Sequence, residues 1–205
     1  YRQRCTRLRG SVMLIGPMLA RFGVGYIPKP GGDKIGRRRL DTHFIGFQKL
    51  GAKFDFDVAD EFFMVEGKEL KGTYMLLDEA SVTGTANIVM AAVLAKGSTT
   101  IYNAAREPEI VDLQNFINAM GGNVRGTGGS IITVEGKRAL HGGTYRIIAD
   151  RIVGATYLCA VACCGGEVRL RGVDPRPLST VSGALSEAGC TVKSGEDDVF
   201  LQSDG

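Results

Sequence analysis

The sequence predicts an α/β fold assembled from repeated β-α-β-α-β-β units of about 70 residues, and three observations carry that prediction. Leu50-Gly51-Ala52-Lys53-Phe54 recurs as Met120-Gly121-Gly122-Asn123-Val124 and again as Ala188-Gly189-Cys190-Thr191-Val192, with the glycines at 51, 121 and 189 spaced 70 and 68 residues apart. A second block agrees: Val65-Glu66-Gly67-Lys68, followed by Gly72-Thr73-Tyr74 and Asp78, resembles Val134-Glu135-Gly136-Lys137, followed by Gly143-Thr144-Tyr145 and Asp150. Third, each copy reads in the same order of helix and strand.

A helix of small and apolar residues opens each unit, at 11–22, 83–95 and 153–164. A strand ending in a turn follows, at 25–27, 99–102 and 167–170. A second helix (42–50, 110–120 and 178–188) leads to the repeated glycine, which sits where a left-handed C-cap stops a helix. Two strands close the unit, at 53–58 and 62–65 in the first copy and at 123–125 and 131–135 in the second. The segments 72–77 and 143–148 extend the sheet, and the third copy stops after a strand at 199–201. Gly126-Thr127-Gly128-Gly129 joins two strands and opens no helix, so it reads as a hairpin turn rather than a nucleotide loop.

Composition narrows the function. The 205 residues hold enough apolar side chains for one large domain or two small ones. Net charge is +3 with both signs interspersed, and Trp is absent. A basic stripe and stacking platforms are therefore missing, which argues against a nucleic-acid partner. No apolar run is long enough to span a bilayer, and no secretory leader is visible. With an odd count of five cysteines, this places the expectation in a reducing cytoplasm. Cys159 and Cys163 share a helix face, but His43 and His141 lie far away in the chain and are the only histidines. Metal binding is not expected, and the apolar segment 152–164 reads as a buried helix with its cysteines as small hydrophobes. No phosphate-binding glycine loop and no Ser-His-Asp set occurs, so no cofactor is expected.

The repeat exposes an insertion. From Gly23 to Gly51 the chain runs 28 residues, but from Gly97 to Gly121 only 24, and the surplus falls within 28–39. That stretch contains Lys29-Pro30-Gly31-Gly32-Asp33-Lys34-Ile35-Gly36-Arg37-Arg38-Arg39. Pro-Gly-Gly is loop, and its glycines let the backbone approach a bound group closely. Arg37, Arg38 and Arg39 offer forked donors suited to phosphate. A lone carboxylate, Asp33, beside phosphate-reading arginines is the arrangement of an enzyme acting on phosphorylated substrates. A loop lengthened in one copy of a scaffold is a candidate for that role; a solvated basic loop is the alternative. Arg9 precedes a helix whose macrodipole does not favour a cation there, so an anion is one reason for it and plain exposure another. In Asp78-Glu79-Ala80-Ser81-Val82-Thr83-Gly84-Thr85, Ser81 and Thr83 are N-cap types, and free N–H groups at that helix start can receive phosphate. Arg106, Glu107 and Glu109 read as an internal ion-pair cluster.

These residues resemble the UDP-N-acetylglucosamine 1-carboxyvinyltransferase family of enolpyruvyl transferases. The segment from Pro30 to His43 is similar to its active-site loop. Gly16-Pro17, Leu19-Ala20-Arg21-Phe22-Gly23, Asn103 through Asp112, Tyr145-Arg146 and Asp150-Arg151-Ile152 match as well, so the resemblance covers essentially the whole chain. It implies an inside-out α/β barrel, each domain formed of three units around buried helices. The division expected is 1–149 for the loop-bearing domain, with its first unit incomplete, and 150–205 for the start of a second domain. The implied reaction moves enolpyruvyl from phosphoenolpyruvate to the 3′-hydroxyl of UDP-N-acetylglucosamine and releases phosphate, at the first committed step of peptidoglycan synthesis. A binding module without catalysis, or an enzyme acting on shikimate 3-phosphate, are the alternatives.

Carried over by position, Asp33 falls at the proton donor, Arg9 contacts the substrates, and Arg38 meets the phosphate of phosphoenolpyruvate. Arg38, Arg39, Leu40, Asp41 and Thr42 line the sugar nucleotide, as do Glu79, Ala80, Ser81 and Val82. Cysteine is common in the family at Asp33, and that thiol is what fosfomycin alkylates, so a carboxylate there implies insensitivity to the antibiotic. Glu79 stands where lysine is common, and Met13 where tryptophan is. The family's Lys-Asn pair would lie upstream of Tyr1, and its proton-accepting aspartate beyond Gly205. The chain is therefore expected to be an internal fragment with little turnover alone.

Overall fold

The computed structural model describes residues 2–32 and 39–205. The chain forms two compact units, Tyr1–Tyr145 and Arg146–Gly205. The first begins with α1 (Arg2–Cys5), a 3-10 turn at Arg9–Leu14 and α2 (Ile15–Phe22), followed by β1 (Val24–Pro28), α3 (Asp41–Lys49), β2 (Lys53–Asp57) and β3 (Phe62–Glu66). It continues with β4 (Tyr74–Leu76), α4 (Val82–Ala92), β5 (Ser98–Tyr102), α5 (Pro108–Ala119), β6 (Val124–Arg125) and β7 (Ile131–Glu135). The second unit holds α6 (Arg151–Cys164), β8 (Gly166–Arg171), a 3-10 turn at Arg176–Leu178 running into α7 (Ser179–Glu187), β9 (Thr191–Ser194) and β10 (Asp198–Ser203).

The repeat is real in space. Strand order is β1-β3-β2 in the first copy, β5-β7-β6 in the second and β8-β10-β9 in the third. In every copy the last strand returns to the middle and pairs antiparallel on both sides. The helices before the repeated glycines stop because Gly51, Gly121 and Gly189 take φ of +95°, +86° and +102°, values that a Cβ disfavours. β4 joins β5 in parallel, Tyr74 opposite Thr100, across the α4 crossover.

α4 is the buried centre of the first unit. Its residues Gly84 to Val89, with Ala91 and Ala92, are all buried, and α2 and α3 pack against it. Close approach depends on two glycines. A Cβ on Gly16 of α2 would sit 2.4 Å from the Asn87 carbonyl oxygen, and one on Gly46 of α3 would sit 2.3 Å from Ile88 Cδ1. Ile15, Leu19, Phe47, Ile88, Ile101 and Ile132 fill the surrounding core. The second unit has its own smaller core of Leu158, Leu178, Val199 and Leu201.

Three expectations need correction. The helix expected over 11–22 is a 3-10 turn as far as Leu14 and α-helical only from Ile15. Pro17 explains the boundary: it has no N–H to give the carbonyl one turn earlier, so it suits only a first helical turn. The segment 143–148 carries no strand, whereas its counterpart β4 does. β4 exists because β5 offers it an edge; 143–148 has no strand partner among the described residues. Finally, Cys159, Cys163 and Cys164 are exposed, not core. α6 lays Gly154 and Leu158 inward. At 100° per residue, Cys159 and Cys163 fall off that stripe, although they do share a face.

Candidate functional site

The site grows from two helix starts that the fold brings together. At the start of α3, Leu40 is the N-cap position and is half-buried against the core, so Asp41 begins the helix at its positive end. At the start of α4, Ser81 is the N-cap: its Oγ accepts from the Gly84 N–H at 3.1 Å. Thr83, the other N-cap type, is already inside the helix. The chain before it is held by Asn103, which takes φ of +56° and donates from Nδ2 to the Leu77 carbonyl at 3.1 Å. Asn tolerates that left-handed conformation better than most residues.

Asp78 links the two starts. The Arg39 guanidinium donates to Asp78 Oδ2 at 2.8 Å and to Asp41 Oδ2 at 2.8 Å. Thr42 Oγ donates to Asp78 Oδ1 at 2.9 Å and lies 3.4 Å from Glu79 Oε1. Arg39 raises its own pKa through these bonds, chiefly to Asp41, and holds the Asp41 carboxyl below its ordinary range. Arg9, first residue of the 3-10 turn, donates to the Arg39 carbonyl at 3.0 Å.

The structure thus places Arg9, Arg39, Leu40, Asp41, Thr42, Glu79, Ser81 and Val82 around one junction, with Ala80 exposed beside them. Asp33 and Arg38 lie outside the described residues. In this structure Arg39 donates from Nε to Asp41 and from Nη2 to Asp78, and Thr42 is buried with its hydroxyl turned to Asp78. The Pro-Gly-Gly glycines also serve the protein itself: a Cβ on Gly31 would overlap the Thr6 carbonyl, and Gly32, with φ of +98°, would meet Arg9 Cβ at 3.0 Å. Among the described residues, the junction gathers two arginines, Arg9 and Arg39, and three carboxylates, Asp41, Asp78 and Glu79.

Sequence reasoning missed the polar cluster behind this junction. His43 and Asn87 are both buried. Asn87 Nδ2 lies 3.0 Å from His43 Nδ1 and donates to the Val12 carbonyl at 2.9 Å, while Asn87 Oδ1 accepts from the Gly16 N–H at 2.8 Å. His43 Nε2 lies 3.3 Å from Thr83 Oγ. Burial, and then the Arg9 charge, push the imidazole down from 6.5 to about 4, so it is neutral at pH 7. The signal was available: Asn87 is the one amide in a helix of otherwise small, apolar and hydroxyl residues. No group of three or more His, Cys, Asp or Glu among the described residues is placed to hold a metal ion.

Comparison with known proteins follows this geometry. The chain is 49% identical over 201 residues to the UDP-N-acetylglucosamine 1-carboxyvinyltransferase of Bacteroides fragilis, a match covering 98% of this chain and 46% of that protein. The protein of the same name from Bacteroides thetaiotaomicron is 47% identical over the same shares. The one from Idiomarina loihiensis is 45% identical, over 97% of this chain and 47% of that protein. The chain therefore spans about half the length of the curated relatives it matches. Among solved structures, the enolpyruvyl transferase NikO from Streptomyces tendae superposes with a TM-score of 0.79 at 17% identity, over 99% of this chain and 49% of that one. EPSP synthase from Acinetobacter baumannii gives 0.66 at 21% identity, over 95% and 46%. These structural likenesses establish the inside-out α/β fold of the enolpyruvyl transferases. A family model matches residues 2–204, and the chain belongs to the family it describes, EPSP synthase (3-phosphoshikimate 1-carboxyvinyltransferase).

Proposed function

We propose that this chain is part of a transferase that moves enolpyruvyl from phosphoenolpyruvate to the 3′-hydroxyl of UDP-N-acetylglucosamine, releasing phosphate. The observation that carries the reading is the junction of the α3 and α4 starts: the two stretches assigned to the sugar nucleotide lie far apart in sequence, and Arg39 and Thr42 both bond Asp78. Its support from relatives is the shared name of proteins 44–49% identical across nearly the whole chain.

In this reading Asp33 is the general acid. It delivers a proton to the methylene carbon of phosphoenolpyruvate, making the adjacent carbon electrophilic. The sugar hydroxyl bonds to that carbon and gives up its own proton to a base. A proton then leaves the newly formed methyl group as phosphate leaves the adjacent carbon, which re-forms the double bond as an enol ether. An ordinary aspartate is ionised at neutral pH, so Asp33 needs water excluded around it to carry a proton, against the lowering influence of its arginine neighbours in sequence. A carboxylate is a weaker nucleophile than a thiolate, so fosfomycin should not disable it. The place of the reaction would be the cytoplasm, at the committed step of cell-wall peptidoglycan synthesis. No helix of the described residues is long and apolar enough to cross a membrane.

The test is phosphate release by the native-length protein from phosphoenolpyruvate with UDP-N-acetylglucosamine, and with shikimate 3-phosphate as the control acceptor. Release with the first acceptor alone, unaffected by fosfomycin, is the expected result, and Asp33→Cys should gain sensitivity and shift the optimum to higher pH. Sugar-nucleotide binding without release would leave Asp33 no catalytic task and favour a binding module.

A further inference from the structure

We propose, building on the sugar-nucleotide reading above, that His43 and Asn87 are positioning residues that turn the Thr83 hydroxyl into a hydrogen-bond donor toward an anionic oxygen of the sugar nucleotide. The argument starts at backbone groups whose roles admit no choice. The Gly16 N–H can only donate, so the Asn87 atom 2.8 Å away is its carbonyl oxygen. The Val12 carbonyl can only accept, so the atom 2.9 Å from it is the amide nitrogen. That nitrogen also faces His43 Nδ1 at 3.0 Å. An NH2 group has no lone pair to offer there, so Nδ1 must be the acceptor and carries no proton.

A neutral imidazole with a bare Nδ1 carries its hydrogen on Nε2. Nε2 faces Thr83 Oγ at 3.3 Å, so the hydroxyl oxygen accepts. Its own hydrogen must then point elsewhere. Thr83 is exposed in the first turn of α4, directly after Ser81 and Val82. The chain of fixed polarity runs from two buried backbone groups, through two buried side chains, to the hydroxyl of exposed Thr83. A histidine of the opposite tautomer would take the Thr83 proton inward and present a lone pair to the ligand, which an anionic oxygen would oppose.

The test uses the native-length protein and UDP-N-acetylglucosamine as the probe. Thr83→Val keeps the branched shape and removes the hydroxyl; it should weaken binding about tenfold, while Thr83→Ser should stay within about twofold of wild type. Nitrogen-15 spectra of labelled histidine should show His43 with a protonated Nε2 and a bare Nδ1, in wild type and in Thr83→Val alike. A protonated Nδ1 overturns the proposal, as does Thr83→Val binding as tightly as wild type. Wild-type protein that ignores UDP-N-acetylglucosamine sinks the substrate reading and this ligand assignment together, whereas tight wild-type binding with an unaffected Thr83→Val sinks only the present inference.

Discussion

Acidification should weaken the first unit through His43 by about 3 kcal/mol, most of it lost before ordinary acid denaturation begins. The imidazole's pKa falls from an ordinary 6.5 to about 4 in the fold because it is buried and Arg9 is near. In the unfolded chain it recovers its ordinary value. The gap of roughly 2.5 units, at about 1.4 kcal/mol each, gives the magnitude. The sign follows from proton counting: between the two values the unfolded chain binds a proton that the folded protein refuses. The stabilisation is therefore complete above pH 6.5 and is lost progressively as pH falls from there to about 4. Asp41 does not imitate this, since Arg39 holds its carboxyl below 3.8. The assay is urea unfolding of wild type and His43→Gln from about pH 7 to about pH 4, reading the difference between them so that the other titrating groups cancel. A difference that stays constant within about 0.5 kcal/mol across that range would show that His43 is not held neutral by its surroundings, and the reasoning would fail.

Two further predictions concern packing and capping. Gly16→Ala puts a Cβ 2.4 Å from both the carbonyl oxygen and Oδ1 of Asn87, one of them backbone and unable to swing aside; urea unfolding should show a loss of about 2–4 kcal/mol, and a variant within about 0.5 kcal/mol of wild type would mean that α2 and α4 are not in contact there. Asp150 caps α6 by accepting from the Ile152 and Val153 N–H groups at 2.8 and 3.0 Å. Asp150→Ala should therefore speed hydrogen exchange in the first turns of α6 about fivefold, with Asp150→Asn close to wild type, and equal exchange in all three proteins would refute the cap.

The repeat was legible because it is written in local chemistry. A glycine after each second helix is required by a left-handed backbone, and that requirement acts on a single residue, so it recurs wherever the unit recurs. The strands were legible for the same reason. What failed was what depends on a neighbour. Segments 72–77 and 143–148 look alike, and among the described residues only the first has an edge to pair with. The cysteines of α6 look like core, and whether they are core depends on what covers that side of the helix. Pro17 marks the helix boundary locally, since its missing N–H suits only a first helical turn.

The candidate site divides along the same line. Arg37, Arg38 and Arg39 are equivalent in sequence, and a run of arginines reads as a run of phosphate donors. Arg39 has a task the run does not state: Asp41 and Asp78 take up its guanidinium, and Asp78 reaches it from 39 residues away. Its job in the described structure is to tie the α3 start to the α4 start, with Thr42 completing the tie from a buried position. The buried polar cluster is harder still to read. Gly16 and Asn87 are 71 residues apart, and His43 and Asn87 are 44 apart. An amide on an apolar helix costs about 1–3 kcal/mol if left unpaired, so its presence at 87 already requires partners. The sequence states that requirement without naming them. Gly16 and Val12 of one repeat supply the backbone groups that orient the amide of the next, which makes the contact between neighbouring copies, rather than either copy alone, the source of the site's polarity.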